Sequence, residues 1–331
     1  MPDDAVGPPG SALAVLGEIH TCLLPSSAVL DTPAIVELLS GVQPGSTITS
    51  RERPVPLVIS PSRIEGVDCY LIPVSGRRIH VIGTVASHAV VTGGRVLQSS
   101  SQTRVMRSQE SSRQPWSHYL SRPGTIDAIS RLGTEPARRL ADGHLGSSGP
   151  QQLDLTSITQ RMSTFIRVDP ELDQNMPFHA GTTRLRWAIE VDCDENTVPR
   201  FSFRLDNSET LRSVRLTVAD RDIAAAQRFC EDLALHDWLL TAIGQAANRF
   251  GPHTQAADTV LNQLAPVLDQ LVPLWMPGAH TPPGLRRPWS DLEADPGFTR
   301  QWTARVGQLR DRMTTATLQV LHTKIPSSDL W

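Results

Sequence analysis

Residues 78–107 read RIHVIGTVASHAVVTGGRVLQSSSQTRVMR. Up to Val91 the run alternates and is rich in Val and Ile. Gly93-Gly94 then supplies two residues that accept positive φ, and Arg95 to Arg107 returns. This is the pattern of a β-hairpin. A two-residue loop places Val91 opposite Val96 and Val90 opposite Leu97. The returning arm carries Ser99, Ser100, Ser101, Gln102 and Thr103, which reads as a half-solvated or edge strand.

Outward from the hairpin, residues 12–24 are mostly apolar and read as a buried strand. Thr32 and Pro33 open a short helix over Ala34 to Leu39. Pro54 to Ser60 and Gly66 to Val74 read as strands interrupted by prolines. Trp116 to Leu120 and Ile126 to Leu132 read as helical, split by Pro123-Gly124. Further strands are expected at Met162 to Val168, Thr182 to Val191, Arg200 to Leu205 and Leu211 to Val218, with Asp192 to Asn196 as a hairpin turn.

The last third is helical. Asp220 caps a helix that Gly251 and Pro252 stop near Phe250, with Phe229, Leu233, His236, Leu240, Ile243 and Ala247 as its stripe. A second helix has Val260, Leu264, Val267, Leu271 and Leu274 on one face, with a kink at Pro266. Asp295-Pro296 starts a third, with Phe298, Trp302, Leu309, Met313, Ala316 and Val320 inward. The expected fold class is therefore α+β, a mainly antiparallel sheet with a C-terminal unit of three long amphipathic helices. The expected organisation is a tail (1–11), a β-rich region with short helices (12–132) and a Gly/Ser/Pro-rich linker or long loop (133–152). Strands able to join the same sheet (153–218), a helical unit (219–323) and a second tail (324–331) follow. At 331 residues the chain has room for about two domains of ~150.

Composition excludes several chemistries. Lys324 is the only lysine among 31 basic residues, and no Gly-rich loop precedes it. P-loop, protein-kinase and pyridoxal chemistry each need a placed lysine. Cys22, Cys69, Cys193 and Cys230 form no Cys-x-x-Cys pair, so no zinc knuckle is expected. Serine-elbow, dinucleotide-binding and zinc-protease motifs are absent from the sequence, and no metal or cofactor is expected. Met1-Pro2-Asp3-Asp4 is acidic with no apolar run behind it, and no stretch of 18 apolar residues occurs. The expected location is cytoplasmic, with no membrane contact.

Charge is segregated along the chain. Residues 1–76 hold three bases and eight acids, whereas residues 77–122 hold seven Arg and only Glu110. The basic block lies on the hairpin and runs into Trp116, His118 and Tyr119. Guanidinium forks suit phosphate or carboxylate, and aromatic rings can stack. The candidate anion- or partner-binding residues are therefore Arg95, Arg104, Arg107, Arg113, Trp116, His118, Tyr119, Arg184 and Arg186. The plainer reading is an exposed strand face that uses Arg for solubility, or that pairs with the acids of 1–76. His236 and Asp237 are a second candidate pair. Neighbours on a helix point about 100° apart, so a core histidine is the plainer reading there. Asp192, Asp194 and Glu195 lack the calcium-loop pattern and read as a turn.

Several runs occur together: Val15-Leu16-Gly17-Glu18, Ser87 to Arg95, Trp116-Ser117-His118-Tyr119, Ala180 to Trp187 and Leu235 to Leu240. With them the chain resembles an uncharacterised actinobacterial family encoded beside a variant P-loop protein and a methyltransferase-like protein. The resemblance covers most of the chain and carries no catalytic residue. It implies a role in a complex.

The leading expectation is a non-enzymatic adaptor or scaffold in a multi-protein system, with a P-loop-like protein as one partner and self-association as another. The second is a sensor or enzyme for an anionic metabolite or nucleotide, using Arg104, Arg107, Arg184, Arg186 and His118. Nucleic-acid binding by the basic hairpin is the least favoured, because the rest of the chain is acidic.

Overall fold

The computed structural model describes residues 12–73, 78–108, 112–129, 137–146, 152–192, 194, 197–205, 211–249, 256–279, 281–295 and 297–324. The expected tail 1–11, all of the tail 324–331 but Lys324, Arg77, most of the Asp192–Asn196 turn and the Phe250–Pro252 helix stop lie outside these residues. In chain order the elements are β1 (Ala12–Leu23), α1 (Thr32–Ser40), β2 (Thr49–Arg51), β3 (Leu57–Ile59), β4 (Arg63–Leu71), β5 (Ile79–Thr92), β6 (Val96–Arg107), α2 (Trp116–Leu120), β7 (Thr125–Ala128), α3 (Ala137–Gly146) and α4 (Leu155–Arg167). They continue with β8 (Thr183–Asp192), β9 (Arg200–Leu205), β10 (Leu211–Ala219), α5 (Ile223–Arg249), α6 (Ala257–Leu271), α7 (Arg286–Ala294) and α8 (Phe298–Lys324).

All ten strands join one sheet in the order β2-β3-β5-β7-β6-β1-β8-β10-β9, with β4 on the first half of β5. The sheet is mixed: β6–β7 and β8–β10 run parallel, and the remaining pairs are antiparallel. Strand side chains alternate between two faces, and both faces are covered. On one, Ala14 and Leu16 meet Leu140 and Ala141 of α3 and Leu155 and Ile158 of α4. Farther along that face, α1 packs with Met162 and Ile166 of α4 over Ala89, Val91 and Leu97. On the other, Val15, Ile19, Trp187 and Val214 meet Phe229 and Leu233 of α5. The long helices α5, α6 and α8 close a second core around Trp238, Leu264, Trp302 and Leu309, so the α+β reading and the C-terminal helical unit both hold.

Four local expectations need correction. First, the hairpin is one residue out of the expected register: Val91 faces Leu97 and Thr92 faces Val96. Gly93 and Gly94 take φ of 58° and 63°, but Arg95 also leaves the ladder. Its carbonyl accepts from Leu24 N at 2.9 Å, and its guanidinium donates to the carbonyls of Ser26 and Ser27. Second, the polar arm is not at an edge. β6 lies between β5 and β1, and Ser99, Ser100 and Ser101 have no exposure. Residues beside the serines are tied to α5: Gln98 Nε2 donates to the Glu231 carbonyl at 2.9 Å, and His88 of β5 pairs with the Glu231 carboxylate at 2.9 Å. Burial works against both charges, yet each holds its partner ionised, His88 raised and Glu231 lowered.

Third, the helix and strand periods were misassigned around the linker. Met162 to Val168 is the end of a helix, Ile126 to Ala128 is a strand, and the 133–152 stretch contains α3. An apolar run this short has no period of its own, and packing decides it. The N-cap of α4 is Asp154, which accepts from Ser157 N at 2.9 Å. The cap of α1 is Asp31, one residue before the expected Thr32. Fourth, β8 and β9 do not form a hairpin: β10 lies between them, parallel to β8 and antiparallel to β9. β10 supplies Val214, Leu216 and Val218 to the core, whereas Ser202 and Arg204 of β9 are exposed, as suits a strand with one open side.

β5 and β6 part company beyond Ala86 and Gln102, and β7 fills the gap, pairing with both. Gly83 permits this: a Cβ there would lie 2.2 Å from the Thr125 carbonyl oxygen. Gly83→Ala is expected to cost about 1–3 kcal/mol by urea denaturation. Gly307→Ala, in α8 with open space around it, is expected to gain about 0.5–1 kcal/mol. Equal effects at the two positions would contradict the wedge. Trp302 is 5% exposed and stacks on Trp275 with ring centroids 4.3 Å apart. Trp302→Ala should cost about 3–5 kcal/mol, and a loss within 0.5 would refute its core position.

Candidate functional site

Two polar clusters were compared, one closed and one open. The closed cluster sits at the sheet centre beneath α3 and α4. Glu18 has no exposure; it accepts from His20 Nε2 at 3.0 Å, Thr156 Oγ1 at 2.8 Å and Arg186 Nε at 3.2 Å. Burial tends to raise the Glu18 pKa, but the His20 hydrogen bond and the Arg186 charge outweigh it and hold the group at about 2. Arg186 also donates to the His144 carbonyl on α3. His144 Nε2–H donates to the Gly17 carbonyl at 3.1 Å. Burial and the Arg186 charge push His144 down to about 4, against that hydrogen bond and Glu18. Every charge here has a partner inside the protein, so the cluster acts as a brace.

The open site is the sheet's end. β9 pairs with β10 on one side, and among the described residues no strand pairs with its other side. Each face of β9 borders a recess. On the α5 face a cleft of about 600 Å³ is walled by Phe201, Phe203 and Phe298, with Leu240 of α5. Its floor is a buried ion pair, Arg212 Nε to Asp237 Oδ2 at 2.9 Å, with Arg212 Nη2 donating to Thr241 Oγ1 at 3.1 Å. Burial raises the Asp237 pKa despite the compensating Arg212 charge. Asp291, Asp295 and Arg305 lie at the rim. Aromatic walls with a few convergent polar groups are the usual make-up of a binding cleft.

On the α3 face lies a smaller recess of about 280 Å³. Arg138 and Asp142 come from α3, Ser202 and Arg204 from β9, and Ser213 and Arg215 from β10. Arg215 pairs with Asp142 and lies 3.4 Å from Glu190. The two recesses follow from the alternation Arg200-Phe201-Ser202-Phe203-Arg204, which sends arginine and serine to one face and phenylalanine to the other.

The candidates named from sequence do not converge. Arg95 is fully buried and Arg186 belongs to the closed cluster. Arg184 lies opposite His20 on β1, on the face that α4 covers, whereas Arg104 lies opposite Val15, on the other face. Arg104 and Arg107 are exposed. Arg113, Trp116, His118 and Tyr119 do gather at α2: Arg113 lies over the Trp116 ring and pairs with Asp68 at 3.3 Å. Tyr119 is buried with its hydroxyl accepting from Gln114 N, and His118 lies 3.5 Å from Asp127, which Arg122 also binds. Thus Arg113 pairs with Asp68, an acid of residues 1–76, whereas Arg122 pairs with Asp127, outside that segment.

His236 and Asp237 diverge, as helix geometry requires. His236 Nδ1–H donates to the Asp232 carbonyl at 2.7 Å and Nε2 accepts from Met276 N at 3.1 Å. It is a satisfied core histidine, whereas Asp237 forms the cleft floor. The sequence reading missed Arg138, Arg204, Arg212, Arg215, Phe201 and Phe203. The Arg/Phe alternation of 200–204 was the available signal. Among the described residues no group of three or more His, Cys, Asp or Glu is arranged to hold a metal, and no helix is long and apolar enough to cross a membrane.

The closed cluster predicts a pH dependence. Between about pH 6.5 and 4 the unfolded chain protonates His144 and the folded chain does not. This contribution to stability is full above pH 6.5 and is lost as the pH falls. His144→Asn should flatten the urea-midpoint profile over that range; a profile as steep as the parent's would exclude His144 as the group. Comparisons of the chain with protein-family models, with curated proteins and with solved structures find no match.

Proposed function

We propose that the protein is a non-enzymatic adaptor that binds an extended segment of another protein along the open side of β9. The observation that carries this reading is a strand edge that no described residue pairs with, flanked by an aromatic cleft on one face and an arginine recess on the other. An added strand satisfies the backbone groups of the edge, and its side chains alternate into the two recesses. A segment with apolar residues at one parity and acidic residues at the other complements both.

Charge argues against a second copy of this chain as the occupant. Antiparallel self-pairing of β9 about Ser202 sets Arg200 opposite Arg204 twice on one face. Like charges directly opposite destabilise a strand pair. The proteins implied by the family resemblance, a P-loop-like protein foremost, are candidates to donate the segment. The metabolite-sensor reading has less support, since Arg104 lies on the opposite face of the sheet from Arg184 and Arg186.

The test is selection from a displayed library of random nine-residue peptides against the full chain. Enriched peptides should alternate apolar and acidic residues, and their binding should slow amide hydrogen exchange in β9. Phe203→Ser should weaken binding at least tenfold. Enrichment with no alternation, or protection confined to another element, would refute the proposal.

A further inference from the structure

The recess on the α3 face carries more positive charge than a carboxylate would balance. Arg138 and Arg204 line it, and Arg200 acts on Glu190 from the same face. The two carboxylates present, Asp142 and Glu190, both lie against Arg215. Among the described residues no ion pair is made to Arg138, Arg200 or Arg204. In the lining itself three guanidinium groups, Arg138, Arg204 and Arg215, face one carboxylate, Asp142, a surplus of two positive charges. Burial and the nearby Arg138 charge lower the Arg215 pKa, a consequence of the same crowding.

The donor set has a definite chemistry. Guanidinium forks bind tetrahedral oxyanions through paired N–H groups, and the Ser202 and Ser213 hydroxyls can donate alongside them. A side-chain carboxylate brings one negative charge. A phosphomonoester brings about 1.5 to 2 at neutral pH, with three acceptor oxygens. At about 280 Å³ the recess is larger than a carboxylate needs. It opens on the parity of β9 that carries Ser202 and Arg204, so a strand added at about 4.8 Å would point every second side chain towards it.

Resting on the strand-addition reading above, we infer that this recess receives a phosphorylated serine or threonine of the added segment, making partner binding dependent on phosphorylation. The phosphoryl group would supply the two missing negative charges, while apolar neighbours of the opposite parity occupy the phenylalanine cleft.

The experiment uses the full chain and two kinds of probe. The first is O-phosphoserine against acetate, titrated by calorimetry. The second is an array of alternating nine-residue peptides, each made with a central serine, aspartate or phosphoserine. Phosphoserine peptides should bind at least tenfold tighter than their aspartate counterparts. That preference should vanish in Arg138→Gln/Arg204→Gln, whose altered side chains are exposed and whose melting temperature should match the parent. Phe203→Ser should weaken all three peptide forms alike. Equal affinity for phosphoserine and aspartate peptides would overturn the inference and leave the strand-addition reading standing. O-phosphoserine binding that depends on Arg138 and Arg204, with no peptide binding in any form, would support a phosphomonoester recess filled by a free metabolite. It would overturn both its coupling to an added strand and the strand-addition reading. Failure of both probes would remove both proposals.

Discussion

A carboxylate without solvent contact, Glu18, holds the centre of the molecule. It sits on β1, an interior strand between β6 and β8, and takes hydrogen bonds from its own strand, from β8 and from α4. Arg186, one of those donors, reaches on to the last turn of α3. Removing one partner from such a buried set typically costs 3–5 kcal/mol, because the remaining charge is stranded away from water. The brace therefore sets where α3 lies over the sheet. Since α3 supplies Arg138 and Asp142, the wall of the arginine recess is positioned from the sheet centre outward.

The far end of the sheet is held in a related way. β10 sends Arg212 to Asp237 of α5 on one face and Arg215 to Asp142 of α3 on the other. Two charged ties on opposite faces fix the strand between its helical layers. β9, which among the described residues pairs with β10 alone, thus rests on a rigid backing on that side. A partner would meet an edge that is already in strand geometry, so less conformational entropy is lost on binding than with a loop.

Much of the architecture was legible in the sequence, and what was not has physical causes. The glycine-centred hairpin and the three long C-terminal helices were found from period alone, since Phe229, Leu233, Ile243 and Ala247 repeat at helical spacing. The register slipped at Arg95, whose long-range bonds to Ser26 and Ser27 no local rule reports. The Ser99–Ser101 run reads as an edge because composition shows polarity but not burial. Here small hydroxyl side chains sit on an interior strand, away from water. The order β8-β10-β9 was out of reach because adjacent strands usually pair, and only the competition of β10 for the core displaces β9. As for the site, Asp237 was singled out for its neighbour His236, yet its partner Arg212 comes from 25 positions upstream. The Arg/Phe alternation of β9 was visible in the sequence, but its weight depends on knowing that the strand has a free side.

The alternation of β9 has a consequence for how such a surface can change over time. Phe201 and Phe203 line only the aromatic cleft and Arg204 lines only the arginine recess, while Ser202 borders both. A substitution at Phe203 or at Arg204 therefore alters the lining of one recess and leaves that of the other intact. If a strand is added to β9 as proposed, preference for its apolar element and preference for its charged element would be inherited as separate traits. A lineage could exchange one without first losing the other.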